Sequence, residues 1–286
     1  MAKYADTLAF EKYHGAGNDF LMVKHHPAGP PYRDVPNMIA TACARRTGVG
    51  ADGLIFWHVE PNQGPRMIYY NADGQKSSFC GNGARCFVRC LHDHGLWPTG
   101  EPRPFHANDG LHTGEMLSLG QVRISMLVEG AVSTAEDGSQ IIDTGSPHYL
   151  EWCSVLPQGD ITKRAHQVRY STAFAKTGIN VNYVAEQPSS SQHPHPEAEH
   201  KLPHLAIRTY ERGVEAETLA CGTGVTAAAL GYAERKGLTG AISIDVRAMG
   251  GNLSVAFTRS ADRAVRDVLL TGPAVRVYAG EMKVCA

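Results

Sequence analysis

Short apolar runs bounded by turn residues dominate the first part of the chain. Runs rich in β-branched and aromatic residues predict strands, and we place these at 7–13, 20–23, 54–59 and 67–70, with β-hairpin material over 104–128. Helical periodicity follows two further stretches. These predict helices over 37–46, with Asn37 as N-cap and Gly48 as the stop, and over 84–94, ended by Gly95.

The second part of the chain repeats this order. It predicts strands over 139–143, from Tyr149 onward, over 178–184 and over 205–210, and a helix over 225–236 that Gly237 ends. Residues 165–170 fit a helix or a strand. The segment 189–204 is polar and of low complexity, which predicts a loop with solvated histidines.

Two matched turns stand 141 positions apart, Cys-Gly-Asn-Gly at 80–83 and Cys-Gly-Thr-Gly at 221–224. About ten residues before each lies a tyrosine followed by a polar residue, Tyr70-Asn71 and Tyr210-Glu211. A helix follows each turn. The recurrence predicts two structurally similar α/β halves that face each other.

A cysteine at the start of a helix has a defined chemical use. The first helical turn carries unpaired N–H groups and a partial positive charge, which stabilise a thiolate and can also hold a carboxylate. One such site would suggest a nucleophile. Two of them, Cys80 and Cys221, suggest that one thiolate removes a proton from a carbon and the other thiol returns one on the opposite face.

Composition narrows the class of protein. The 286 residues are 43% hydrophobic and 19% charged, which fits two globular domains. The net charge of −1 predicts neither a nucleic acid nor an anionic membrane as a partner. We find no signal peptide and no apolar run of about 20 residues, so we expect a soluble, cytoplasmic protein. The seven cysteines are not expected to form a disulfide framework.

Other polar groups have competing interpretations. Cys86 and Cys90 lie four residues apart near His92 and His94, which permits a zinc site, although a core stripe with a solvated helix end is the favoured interpretation. We expect Arg85 to lie on a salt-bridged helix surface. Asp19 and Asp52 are expected to form turns.

With these residues identified, nearly the whole chain resembles the diaminopimelate epimerase family. The similarity is carried by HGAGNDF (14–20), GVGADGL (48–54), NADGQKSSFCGNGARCF (71–87), GSPH (145–148), GINVNYV (178–184) and YERGVEAETLACGTG (210–224). The 71–87 and 210–224 blocks are the most specific of these.

The resemblance implies a fold and an activity. It implies an α/β (α+β) fold of two pseudo-symmetric domains, each a barrel-like, mainly antiparallel sheet around a central helix, with the active site in the cleft. The domains would be residues 1–125 with 271–286, carrying Cys80, and residues 126–270, carrying Cys221. Members interconvert LL- and meso-diaminopimelate without pyridoxal phosphate or a metal, for lysine and peptidoglycan synthesis, usually as cytoplasmic homodimers.

Site residues carry over by position. Cys80 and Cys221 match the two acid/base thiols, and His148 and Glu211 match groups that tune them. The matches to substrate-binding positions are Asn18, Asn71, Gly81, Asn82, Asn180, Glu211, Arg212, Gly222 and Thr223. Glu211 would recognise the distal ammonium of the substrate, and Arg212 its distal carboxylate.

The chain also departs from the family pattern. Gly53 stands where many members have Gln, Ser146 where they have Asn, Gln75 replaces the usual serine, and the loop after Arg212 carries an extra residue. Two alternatives therefore stay open. One is a related histidine- or proline-type racemase. The other is a non-catalytic amino-acid-binding protein, or a member that isomerises without two thiols, and the retention of both cysteines argues against it.

Overall fold

The computed structural model describes residues 6–26, 28, 30, 32, 34–118, 120–187 and 203–284. The described residues divide into two compact units, the first within Met1–Ile124 and Gly272–Ala286 and the second within Ser125–Thr271. No helix in these ranges is long and apolar enough to cross a membrane. Most of the polar segment 189–204, including His193, His195 and His200, lies outside the described residues, as does Cys285.

Within the described residues, the first unit holds eight strands and two helices. In chain order they are β1 (Thr7–Gly15), β2 (Asn18–Lys24), α1 (Val35–Cys43), β3 (Gly53–Glu60), β4 (Gly64–Asn71), α2 (Gly81–Asp93), β5 (Arg103–His106), β6 (Leu111–Met116) and β7 (Gln121–Ser125). The eighth strand is contributed by the C-terminal part of the chain and is numbered β17 (Val275–Lys283). It pairs antiparallel with β1.

The second unit is continuous in sequence. Its elements are β8 (Glu129–Thr134), β9 (Gln140–Asp143), β10 (Pro147–Cys153), α3 (Thr162–Arg169), β11 (Asn180–Gln187), β12 (His204–Glu211), β13 (Ala216–Thr218), α4 (Gly222–Lys236), β14 (Gly240–Ala248), β15 (Gly251–Arg259) and β16 (Val265–Pro273).

Both units follow one pattern of strand pairing. In the first, β2 runs parallel to β3 and β4 parallel to β5, and the pairs β1–β2, β3–β4, β5–β6 and β6–β7 are antiparallel. In the second, β10 runs parallel to β11 and β12 parallel to β14, and β9–β10, β11–β12, β14–β15 and β15–β16 are antiparallel. The two units are therefore pseudo-symmetric.

Strand register makes the correspondence specific. Phe20 pairs with Gly53 in the first unit, and His148 pairs with Asn180 at the same point of the second. Two residues further along β3 and β11, Ile55 therefore corresponds to Asn182. Phe20 and Ile55 of the first unit therefore stand where the second unit has His148 and Asn182.

One helix forms the centre of each unit. Helix α2 packs against β1, β2, β3, β4, β6 and β17, and α4 packs against strands β8–β12, β14 and β15. Ten of the thirteen residues of α2 are buried. A helix packed against so many strands lies within a curved, mainly antiparallel sheet, and the expected barrel-like α/β architecture is confirmed.

Some predicted elements were misplaced. Helix α1 begins at Val35 rather than Asn37, because the carboxylate of Asp34 accepts a hydrogen bond from the Asn37 N–H and Asp34 is the N-cap. Residues 165–170, left open above, belong mainly to helix α3. No strand was predicted at β8 or at β13–β17, which complete the sheet in the two units.

Candidate active site

Cys80 is the N-cap residue of α2. Its backbone is extended (φ −135°, ψ 112°), and the helix begins at Gly81, so the glycines of the motif form the first helical turn rather than a turn before it. The half-buried Cys80 side chain lies beside β2, with Sγ 3.8 Å from Asn18 Oδ1. The structure thus places Cys80, Asn18 and Gly81 of the predicted site together.

A hydrogen-bonded chain fixes the amides at this turn. The guanidinium of Arg85 donates to Asn82 Oδ1 (2.7 Å), and Asn82 Nδ2 donates to Asn18 Oδ1 (3.2 Å). Asn18 Nδ2 in turn donates to the carboxylate of Asp52 (2.6 Å). Because a cation and an anion end the chain, each amide has one orientation. An acceptor oxygen, Asn18 Oδ1, therefore faces the Cys80 sulfur.

Arg85 is buried, which contradicts the expectation of a salt-bridged helix surface. Its side chain is fully enclosed, and besides Asn82 it donates to the backbone oxygens of Gly81 and Pro273. Burial lowers the pKa of Arg85 to about 10. Sequence proximity could not reveal this, because Pro273 lies 188 residues away. The guanidinium places positive charge beneath the Cys80 turn.

Cys221 is the N-cap residue of α4 and has the same extended backbone (φ −112°, ψ 112°). Its Sγ lies 3.3 Å from the hydroxyl of Thr223, which also lies 2.9 Å from His148 Nε2. The Thr144 hydroxyl donates to the backbone oxygen of Thr223 (2.9 Å) and so ties the turn to the sheet. The predicted residues Cys221, Thr223 and His148 are therefore in contact.

His148 is a neutral imidazole in this setting. The side chain is fully buried, and its Nδ1 lies 3.1 Å from Asn182 Nδ2. Burial lowers the pKa of His148 to about 3, and the charge of Arg212 lowers it further. His148 reaches Cys221 through the Thr223 hydroxyl.

Asn180, Ser146 and Arg212 form a second polar group in this unit. Asn180 Nδ2 donates to Ser146 Oγ (2.9 Å), and Asn180 Oδ1 accepts from the Arg212 N–H (2.8 Å). The Arg212 guanidinium donates to Thr177 O (2.9 Å) and Ser146 Oγ (3.3 Å). Ser146, a departure from the family pattern, therefore braces two residues predicted to bind substrate.

The other predicted residues lie on strand ends. Glu211 ends β12, and its carboxylate accepts from the Thr218 hydroxyl (3.0 Å). Asn71 ends β4, where its backbone forms the turn with Gly74 and Gln75. The loop after Arg212 contains Glu215, a non-glycine residue with φ 56°, whose carboxylate binds Arg169 (2.7 Å). That ion pair holds the loop with the extra residue.

Position 53 has no room for a side chain. A Cβ on Gly53 would lie 2.5 Å from Tyr70 O and 2.6 Å from Tyr69 Cε2. A glutamine, the residue expected here from the family pattern, cannot occupy this backbone unless the Tyr69 ring and the Tyr70 carbonyl move. The glycine at position 53, a departure from the family pattern, is therefore explained by packing against Tyr69 and Tyr70.

Among the described residues, the cysteines and histidines of helix α2 do not by themselves form a metal-binding cluster. Cys86 and Cys90 are fully buried, and His92 Nδ1 pairs with Trp97 O (2.8 Å). Cys90, His94 and Glu11 do approach one another, but His94 Nε2 and Glu11 Oε1 are 2.5 Å apart, a hydrogen bond. Two ligands of one tetrahedral zinc ion would be about 3.3 Å apart.

Sequence reasoning missed Asn182 and Thr209. The Thr209 hydroxyl donates to Asn182 Oδ1 (2.9 Å), and Asn182 is fully buried next to His148. A signal was available, because Asn180 and Asn182 stand two residues apart in an apolar strand and so share one face. Two amides on one buried face indicate a polar site rather than a core.

Sequence comparisons relate the chain to proteins of known activity. Residues 10–123 match the family model for diaminopimelate epimerase. A diaminopimelate epimerase from Flavobacterium psychrophilum is 34% identical over 267 residues, covering 93% of this chain and 97% of the relative. Another, from Chlorobaculum tepidum, is 36% identical over 274 residues, covering 93% and 98%.

Solved structures show the same fold at lower identity. A phenazine biosynthesis protein of the PhzF family from Bacillus anthracis superposes with a TM-score of 0.73 at 13% identity, covering 98% of this chain and all of that one. A hydroxyproline epimerase from Agrobacterium vitis gives 0.68 at 13% identity, covering 99% and 94%. Fold alone spans several activities, but the full-length relatives are more specific. The chain belongs to the diaminopimelate epimerase family.

Proposed function

We propose that this chain interconverts LL- and meso-2,6-diaminopimelate by proton exchange at one α-carbon, with Cys80 and Cys221 as the two bases. The observation that carries the proposal is the identity of 34–36% to diaminopimelate epimerases over nearly their whole length. A second observation supports the assignment of the bases. Both thiols are N-cap residues of the central helices of the two units.

The proposed reaction balances without an external reagent. One thiolate takes the α-proton, so that the C–H bond breaks and an S–H bond forms. The other thiol then donates its proton to the opposite face of the planar carbanion, and the configuration inverts. The negative charge that develops on the α-carboxylate is stabilised by backbone N–H groups at a helix N-terminus, next to Gly81-Asn82 or Gly222-Thr223.

Recognition of the distal end of the substrate is assigned to the polar strand ends. Arg212, held by Ser146 and Thr177, would bind the distal carboxylate, and Glu211 the distal ammonium. Asn71 and Asn180 would complete the recognition, and Asn18 would contact the reacting end. This charged pair favours diaminopimelate over proline, which carries no distal charge.

Family membership supports proposals about finer features. We propose that catalysis needs neither pyridoxal phosphate nor a metal, that the enzyme is a cytoplasmic homodimer, and that it serves lysine and peptidoglycan precursor synthesis. Support for a dimer comes from β17, where Val275, Val277 and Tyr278 are 42–53% exposed. Exposed apolar side chains along a strand are typical of an interface.

The test is incubation of the purified enzyme with LL-diaminopimelate in D2O. We expect the meso isomer with deuterium at one α-carbon, and unchanged rates with a metal chelator or a carbonyl reagent. Proline and histidine, offered in parallel, should keep their α-hydrogens. Racemisation of either without reaction of diaminopimelate would replace the proposed substrate.

The assignment of the bases is tested by Cys80→Ala and Cys221→Ala. Each should reduce epimerisation by at least about a thousandfold, because each direction of the reaction requires both thiols. Cys43→Ala, which removes a buried thiol remote from both motifs in sequence, is the control and should retain activity. Full activity in either single catalytic variant would contradict the two-base mechanism.

A further inference from the structure

A line of buried side chains connects strand β11 to the sulfur of Cys221. Asn182 Nδ2 lies 3.1 Å from His148 Nδ1, and His148 Nε2 lies 2.9 Å from Thr223 Oγ1. Thr223 Oγ1 lies 3.3 Å from Cys221 Sγ. Asn182 and His148 are both fully buried, so bulk water does not compete for these hydrogen bonds.

The direction of the first hydrogen bond is fixed by the surroundings of Asn182. Its Nδ2 lies 3.0 Å from Tyr149 O, which can only accept, and its Oδ1 accepts from the Thr209 hydroxyl. The amide therefore presents an N–H group to His148 Nδ1. His148 Nδ1 must act as the acceptor.

The proton positions of the next two groups follow. A neutral histidine that accepts at Nδ1 carries its hydrogen on Nε2, so His148 donates to the Thr223 oxygen. The hydrogen of the Thr223 hydroxyl is then available for Cys221 Sγ. Burial keeps the pKa of His148 far below neutrality, so the donor direction holds across the physiological pH range.

The first unit lacks this arrangement in the residues that the structure describes. A Cβ on Gly83 would meet Ile55 Cδ1 and Phe20 Cε1, whereas a Cβ on Gly224 would meet Asn182 Oδ1 and His148 Cε1. Apolar side chains thus occupy the equivalent positions. Cys80 instead faces Asn18 Oδ1, which can accept a hydrogen bond but not donate one.

We propose that Asn182 is a positioning residue that, through His148, directs the Thr223 hydroxyl to Cys221 and stabilises the thiolate of Cys221. A hydrogen bond to an ionised sulfur is stronger than one to a neutral thiol, so the bond shifts the protonation equilibrium. The use of this thiolate as a base rests on the proposed function, but its protonation can be measured without substrate.

The test is the pH dependence of alkylation by iodoacetamide, followed for the Cys221 and Cys80 peptides by mass spectrometry in the absence of substrate. In Asn182→Leu and Thr223→Val, the pH at which alkylation of Cys221 is half-maximal should rise by about one pH unit. This pH is called the midpoint below. Thr223→Ser, which keeps the hydroxyl, should restore it. The midpoint for Cys80 should stay unchanged in every variant.

Thr226→Val is the matched control. Thr226 is a buried threonine of the same helix. Its hydroxyl donates to Gly222 O and takes no part in the hydrogen-bonded line from Asn182 through His148 and Thr223 to Cys221, here called the relay. Removal of the Thr226 hydroxyl should leave the midpoint of Cys221 alkylation unchanged. The other charged groups near this turn, Glu211 and Arg212 at the end of β12, are unchanged in all variants. An unshifted midpoint in folded Asn182→Leu and Thr223→Val, or equal shifts at both cysteines, would overturn the proposal.

A measurement on the unmodified protein covers the case in which Asn182→Leu does not fold. In ¹⁵N-detected spectra, with His148→Gln used for assignment, His148 should remain the Nε2–H tautomer from pH 5 to 9. An Nδ1–H tautomer or an imidazolium in that range would refute the relay. Failure of the proposed function would look different, because diaminopimelate would then stay unreacted while the alkylation shifts persist.

Discussion

At the scale of single residues, the second glycine of the motif, Gly83 or Gly224, has a different environment in each unit. Near Gly224, an added Cβ would lie 2.7 Å from Asn182 Oδ1, an atom held by the hydrogen bond from Thr209. Near Gly83, it would lie 2.8 Å from Ile55 Cδ1, a terminal methyl group that can rotate. The two motifs have the same spacing in sequence, but their positions 83 and 224 differ in how well they tolerate an added methyl group.

We expect Gly224→Ala to lower the free energy of unfolding by about 1–2 kcal/mol, because the clash outweighs the gain in helix propensity. Gly83→Ala is the control and should change it by less than about 0.5 kcal/mol, because the Ile55 methyl can move. Urea denaturation followed by circular dichroism measures both. A smaller loss for Gly224→Ala than for Gly83→Ala would contradict the packing described here.

Sequence reasoning identified the motif cysteines but not their surroundings. Cys80 and Cys221 could be found because local residues define a helix start. The burial of Arg85 and the role of Asn182 depend on Pro273, His148 and other partners distant in the chain. A pattern in sequence does not report such contacts.

At the scale of elements, ion pairs connect the hairpin of β1 and β2 to the loop that follows α1. Asp19 on β2 binds Lys12 on β1 (2.8 Å) and Arg45 (2.7 Å), and Arg45 also binds Asp52 (2.5 Å). From the sequence, Asp19 and Asp52 were expected to form turns. The structure shows an ion-pair cluster instead, with Asp19 within a strand.

This cluster predicts a pH dependence of stability. Burial alone would raise the pKa of Asp19, but hydrogen bonds from Arg45 and Lys12 outweigh it and lower the pKa to about 2. A carboxylate whose pKa is depressed on folding stabilises the fold above its unfolded pKa, near 3.8, and loses that contribution as the pH falls towards 2.

We therefore expect the free energy of unfolding to fall between pH 5 and pH 2, with about 2 kcal/mol of the decrease due to Asp19. In Asp19→Asn, which cannot ionise, the decrease should be smaller by that amount. Denaturant titrations at several pH values measure it. Parallel pH profiles of the two proteins would show that the ion pairs contribute nothing.

A helix or strand could be predicted from the sequence where residues within or next to it define its position. The strands around 20–23, 54–59 and 205–210 and the helix after Cys221 were correctly located, because apolar runs and a glycine stop define them. The start of α1 was wrong, because Asp34 competes with Asn37 as a cap and only geometry decides between them.

At the scale of the whole molecule, β17 is the basis of a prediction about assembly. We expect Val277→Lys to convert the proposed homodimer to a monomer, because a lysine on an apolar interface strand leaves a charge without solvent. Light scattering coupled to gel filtration measures the mass. Val155→Lys, at a residue that is 71% exposed, is the control and should remain dimeric. A dimeric Val277→Lys would remove β17 from the interface.

The pairing of β1 with β17 also has a consequence for protein synthesis. The second unit is one continuous segment, whereas the first needs β17, which follows the second unit in the chain. Because domains fold as units while the chain emerges from the ribosome, the second unit can form its core while the first still lacks a strand. The half that carries Cys80 is synthesised earlier and completed later.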